Sequence, residues 1–86
     1  MKVLAISNNS ADPTPHISAE IARTGELVEA GVVERVLLKA DRSGAVLVLE
    51  VPDVTAARAA VDSLPLVTHG LTRFELTEVV EAPARA

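Results

Sequence analysis

The sequence predicts an α+β domain in the order strand, helix, strand, strand, helix, strand, with a four-stranded antiparallel sheet in spatial order 4-1-3-2. Three observations predict it. Two aliphatic runs, Val3 to Ile6 and Ala45 to Leu49, are apolar on both faces of the pleat, which is how strands covered on two sides read. Two further strand-like segments mix apolar with charged residues, as edge strands do. Two amphipathic helical segments, each with its own stop signal, lie between them. Order 4-1-3-2 puts the first and third strands in the middle, so burial pattern and topology agree independently.

In chain order, Lys2 to Ser7 forms the first inner strand. Asn8, Asn9, Ser10, Asp12, Pro13 and Pro15 then make a loop, because each favours turns. Thr14 is placed to cap a helix that has Pro15 in its first turn. That helix runs from His16 to Ala30, with Ile17, Ile21, Leu27 and Val28 as its apolar stripe and Glu20, Arg23, Glu26 and Glu29 outside it. Gly31 supplies the left-handed stop.

The second strand, Val32 to Ala40, alternates imperfectly, with Val32, Glu34, Val36 and Leu38 on one side and Val33, Arg35, Leu37 and Lys39 on the other. Asp41 to Gly44 is a tight turn into the second inner strand, giving a hairpin. Pro52 ends that strand and Asp53 stands where an N-cap accepts backbone N–H groups. Val54, Ala57, Val61 and Leu64 form the buried face of the second helix, which Leu64-Pro65 closes. After a turn at Leu66 to Gly70 the last strand runs from Leu71 to Val80, with Phe74 and Leu76 on one face and Arg73, Glu75 and Thr77 on the other. The result is one ferredoxin-like domain over residues 1–81 and a loose tail at 82–86.

Composition narrows the function classes. At 86 residues a lone domain leaves much surface exposed, and a hydrophobic content of 49% predicts burial between subunits, so a homodimer or higher homo-oligomer is expected. A net charge of −4 and an aromatic content of 1% argue against nucleic acid as a partner, which calls for clustered cations and stacking rings. With no cysteine there is no disulfide, thiolate-held cluster or thiol nucleophile. The opening MKVLAISNN is too short an apolar run for a signal core or a membrane span, so a cytoplasmic protein without membrane partners is expected.

The stretch AGVVERVLLKADRSGAVLVLEVPDVTAARAAVDSLPLVTHGLTRFELTEV resembles the muconolactone isomerase-like branch of the dimeric α/β-barrel superfamily, a group that also includes the YCII-related proteins. Its marks are the Gly-Val-Val opening of the second strand, the VLVLEVPDV strand-to-helix joint, and the LPLV…G turn before the last strand. The resemblance implies a homodimer in which two sheets meet as a barrel with the helices outside. The face bearing Arg35, Lys39, Glu50, Arg73 and Glu75 would then line or border that barrel. It also implies a choice among lactone isomerases, polyketide cyclases and cofactor-independent monooxygenases, a choice that fold alone does not make.

Five residues are candidates for chemistry. His69, in the LPLVTHG turn, suits acid/base proton transfer between carbons, against a plain surface histidine. Glu20 is a general base if its helix face is buried, against an ordinary solvated glutamate. His16 is placed to donate to a substrate carboxylate, against simple exposure at the loop. Arg73 and Arg35 suit bidentate binding of an anionic substrate, against cross-strand salt bridges with Glu75 and Glu50.

Two histidines far apart, with no cysteine and no carboxylate cluster, predict no metal site, and no glycine-rich phosphate loop is present. The expected activity is cofactor-free isomerisation of a small organic acid or lactone. The alternatives are a non-catalytic small-ligand-binding or accessory module, a structural assembly dimer, and, as the resemblance implies, a cofactor-independent monooxygenase or cyclase.

Overall fold

The computed structural model describes residues 1–84, so the tail expected at 82–86 falls partly outside the described residues. The chain forms β1 (Lys2–Asn9), a 3₁₀ turn (Thr14–His16), α1 (Ile17–Glu29), β2 (Val33–Leu38), β3 (Ala45–Glu50), α2 (Val54–Asp62), the short α3 (Pro65–Thr68) and β4 (Thr72–Val79). The sheet order is β2-β3-β1-β4 and all three pairings are antiparallel. This is the predicted ferredoxin-like arrangement read from the opposite edge.

Local chemistry accounts for the joints. Asp53 caps α2 by accepting the Ala56 N–H at 2.8 Å. Gly31 has φ 77°, the left-handed stop expected after α1. Asp12, rather than Thr14, organises the entry to α1, because its carboxylate accepts from both the Thr14 N–H at 3.0 Å and the Thr14 hydroxyl at 2.6 Å. Pro65 does more than stop α2: it opens α3 as its first residue, where a missing N–H costs nothing.

One expectation about β2 is corrected. A register shift between Val33 and Arg35 inserts a bulge, so Val33, Val36 and Leu38 pair with the inward residues Leu49 and Leu47 and with Ala45. Arg35 and Leu37 pair instead with Val48 and Val46 on the opposite face. Strict alternation had grouped Val33 with Arg35, and the extra residue of the bulge breaks it.

The core lies between the sheet and α2. Val3, Leu49, Val61 and Leu64 are fully buried there, beside Ala57 and Phe74. Arg58 fastens α2 to β4 by donating to the Phe74 carbonyl at 3.2 Å. On the other side α1 contributes only Leu27 to the buried core. Its expected apolar stripe stays largely open, with Ile21 66% exposed and Ile17 and Val28 also exposed. The helix stands off the sheet, and the space beneath it is a cavity.

The back of the sheet carries no helix. Leu4, Ile6, Val46 and Val48 form its centre and are half-buried by one another, with Leu37 exposed beside them. Among the described residues, no helix is long and apolar enough to cross a membrane.

Candidate functional site

The cavity under α1 has a volume of about 630 Å³. Ile17 and Ile21 of α1, Val36 and Leu38 of β2, Leu47 of β3 and Leu66 of α3 give it aliphatic walls. Such a concave, mainly apolar space with a few convergent polar groups is the usual form of a small-molecule site.

Glu20 is the carboxylic acid of the wall. It lies on α1 one turn after Ile17 and directly before Ile21, and is half-buried. Its Oε1 accepts the Leu66 N–H at 2.9 Å. That amide belongs to the first turn of α3, where intrahelical partners are lacking and Leu64 at the N-cap has no side-chain acceptor. Burial raises the Glu20 carboxyl above its ordinary value, and the Leu66 hydrogen bond pulls the other way. A carboxyl raised in this manner, with one oxygen held by the backbone, can exchange protons through the other.

Ser7 and Gly44 shape the floor. The Ser7 hydroxyl accepts the Ala45 N–H at 2.8 Å, serving a backbone donor beyond the last paired residues of β1 and β3. A Cβ on Gly44 would stand 1.9 Å from the Ser7 carbonyl oxygen, so only glycine permits this approach. Both residues line the cavity, as do Asn9, Thr72 and Arg42. Arg42 reaches the lining from a residue at φ 63°, a left-handed backbone in the hairpin turn.

The candidate residues from the sequence fall in three places. Glu20 lines the cavity. His16 and His69 come together, 53 positions apart in the chain, with their rings stacked 4.0 Å between centroids at 21°. That pair joins the start of α1 to the end of α3 but is not part of the cavity lining. Arg35 and Arg73 are both exposed on the back of the sheet, opposite Val48 and Asn8 in the ladders, away from the cavity. Neither forms a salt bridge among the described residues; the carboxylate of Glu50 meets the N-terminal amine instead.

Sequence reasoning missed Ser7, Asn9, Thr72 and Arg42. Ser7 and Thr72 were within reach, since each is a polar residue two positions from a buried apolar residue on the inward face of its strand. Arg42 was not, because its direction depends on the turn backbone. No group of three or more potential metal ligands exists among the described residues.

No protein-family model matches the chain, and no curated protein matches it. Among solved structures it is similar to 5-chloro-2-hydroxyhydroquinone dehydrochlorinase (TftG) from Burkholderia phenoliruptrix AC1100, determined in complex with 2,5-dihydroxybenzoquinone. The TM-score is 0.79 at 16% sequence identity, over 95% of this chain and 96% of that chain. At that identity the likeness establishes a shared fold.

Proposed function

We propose that this protein is a small homodimeric enzyme of the α/β-barrel type that isomerises a small organic acid or lactone by proton transfer, without a cofactor. The observation that carries the reading is Glu20: a carboxyl in an apolar cavity, raised by burial and oriented by the Leu66 N–H. The reaction needs one group that removes a proton from one carbon and returns it to the carbon two positions along. The carboxylate takes a proton from the α carbon of a β,γ-unsaturated carbonyl compound, the electron pair moves onto the carbonyl oxygen as a dienolate, and the newly protonated carboxyl delivers the proton to the γ carbon, so that the double bond shifts to the α,β position as the carbonyl re-forms.

The likeness to a dehydrochlorinase that binds a dihydroxybenzoquinone supports a ring-sized oxygenated substrate for this fold. His16 and His69 are assigned to the rim, where they fix the two segments that carry Thr14 and Leu66. Arg35 and Arg73 are assigned to the sheet back, which a second copy covers to complete the barrel. Support for the dimer is the apolar centre of that back, Leu4, Ile6, Val46 and Val48, left without a helix in the single chain.

A ligand-binding module without turnover is the second reading, favoured because the same Glu20 carboxylate also serves as the cap of α3. The two separate in one experiment. A β,γ-unsaturated γ-lactone incubated with the protein in D₂O is followed by proton NMR for double-bond migration and deuterium uptake. Uptake faster than in buffer, abolished in Glu20→Gln, supports the isomerase. Binding of the lactone with no uptake above buffer leaves the binding module.

A further inference from the structure

Thr72 holds the one buried side-chain oxygen or nitrogen without a hydrogen-bond partner among the described residues. It is 3% exposed, and it lines the cavity. An unpaired buried hydroxyl is unfavourable, and its neighbours on the same strand face, Phe74 and Leu76, show that an apolar side chain is accommodated there. Directly across the β1–β4 ladder stands Asn9, whose residue also lines the cavity. Two side chains able to donate a hydrogen bond therefore sit side by side at one end of an otherwise aliphatic space.

We infer that Thr72, with Asn9 beside it, is the oxygen-binding subsite of the cavity, and that the ligand is an uncharged cyclic carbonyl compound whose carbonyl oxygen accepts there. Charge sets the class. A carboxylate or phosphate brought into the cavity would meet the Glu20 carboxyl, and among the described residues the only cation in the lining is Arg42, on the exposed hairpin turn. A neutral carbonyl needs no counter-charge and satisfies the Thr72 hydroxyl. Donation to that oxygen draws electron density from the adjacent carbon and makes its proton easier for Glu20 to remove, so the subsite rests on the proposed proton transfer and narrows its substrate to the lactone or ketone class.

The test compares 1-indanone with indane, which has the same rings and no oxygen, by titrating each into methyl-labelled protein and following the NMR shifts. Wild-type protein binds the ketone about tenfold more tightly than the hydrocarbon, as one buried hydrogen bond dictates. Thr72→Val binds the two within about twofold of each other, and Thr72→Ser keeps the preference. Without ligand, Thr72→Val melts no lower than wild type, because the hydroxyl it removes has no partner.

A ketone preference that survives in Thr72→Val overturns the subsite, and so does a clear drop in melting temperature of the free Thr72→Val protein. Equal binding of both compounds by the wild type overturns it as well. Failure of both compounds to bind overturns the subsite together with the ligand cavity. A ketone preference without deuterium exchange into the bound ketone removes only the catalytic reading and leaves the subsite standing.

Discussion

Glu20 and Leu66 are joined by a 2.9 Å hydrogen bond from backbone N–H to carboxylate, between two helices 46 positions apart. One contact thus ties the candidate general base to the first turn of α3. Removing the acceptor and removing the charge are therefore different experiments. Glu20→Ala leaves a part-buried N–H unmatched and costs about 1–2 kcal/mol of stability in urea denaturation, whereas Glu20→Gln keeps an acceptor and costs much less.

The pH dependence has a fixed sign. Because burial raises the Glu20 carboxyl, the folded chain holds this proton to higher pH than the unfolded chain does. Stability from this group is complete at pH below its unfolded value and declines as pH rises through the interval up to its folded value. Denaturation midpoints measured across the acid-to-neutral range should show that decline in wild type and a flatter profile in Glu20→Gln. An identical pair of profiles would contradict the burial of the carboxyl.

The stacked rings of His16 and His69 should couple energetically. A double-mutant cycle with alanine at both positions is expected to give about 0.5–1 kcal/mol, the low end for aromatic pairs, since His69 is exposed. Additive single effects would show that the stack contributes nothing to holding the 3₁₀ turn against α3.

Two glycines should respond oppositely to alanine. At Gly44 the new Cβ meets the Ser7 backbone, and the hairpin must move away from β1, at about 2–4 kcal/mol. At Gly25, inside α1 with open space around it, alanine stabilises by about 0.5–1 kcal/mol. Thermal melting of the two variants checks both directions at once.

Covering of the sheet back predicts a sedimentation mass of two chains for the wild type. Leu4→Lys places a charge at the centre of that face and should yield folded monomers. A wild-type monomer at micromolar concentration would sink the homodimer.

The topology was legible because it depends on which strands are apolar on both faces, and Val3 to Ile6 and Ala45 to Leu49 declare that directly. The face of α1 was legible as a stripe but not as a cavity wall: a 3.6-residue period tells which residues share a side, not how far that side stands from the sheet. The bulge at Val33 to Arg35 was hidden, since one inserted residue reverses every later assignment in β2 and carries no residue-type signal here. Glu20 could be suspected from its place near the stripe. Its Leu66 partner and the meeting of His16 with His69 arise only from tertiary packing.

Packing in this molecule is lopsided, tight between the sheet and α2 and hollow beneath α1. The packed core and the candidate site are accordingly lodged in opposite halves. Replacements at Ile21 or Leu38, which form open lips of the hollow, can alter what enters without unsettling the half that keeps the chain folded. Variation at the lips alone can therefore reshape the hollow of such a scaffold while its packed half stays as it is.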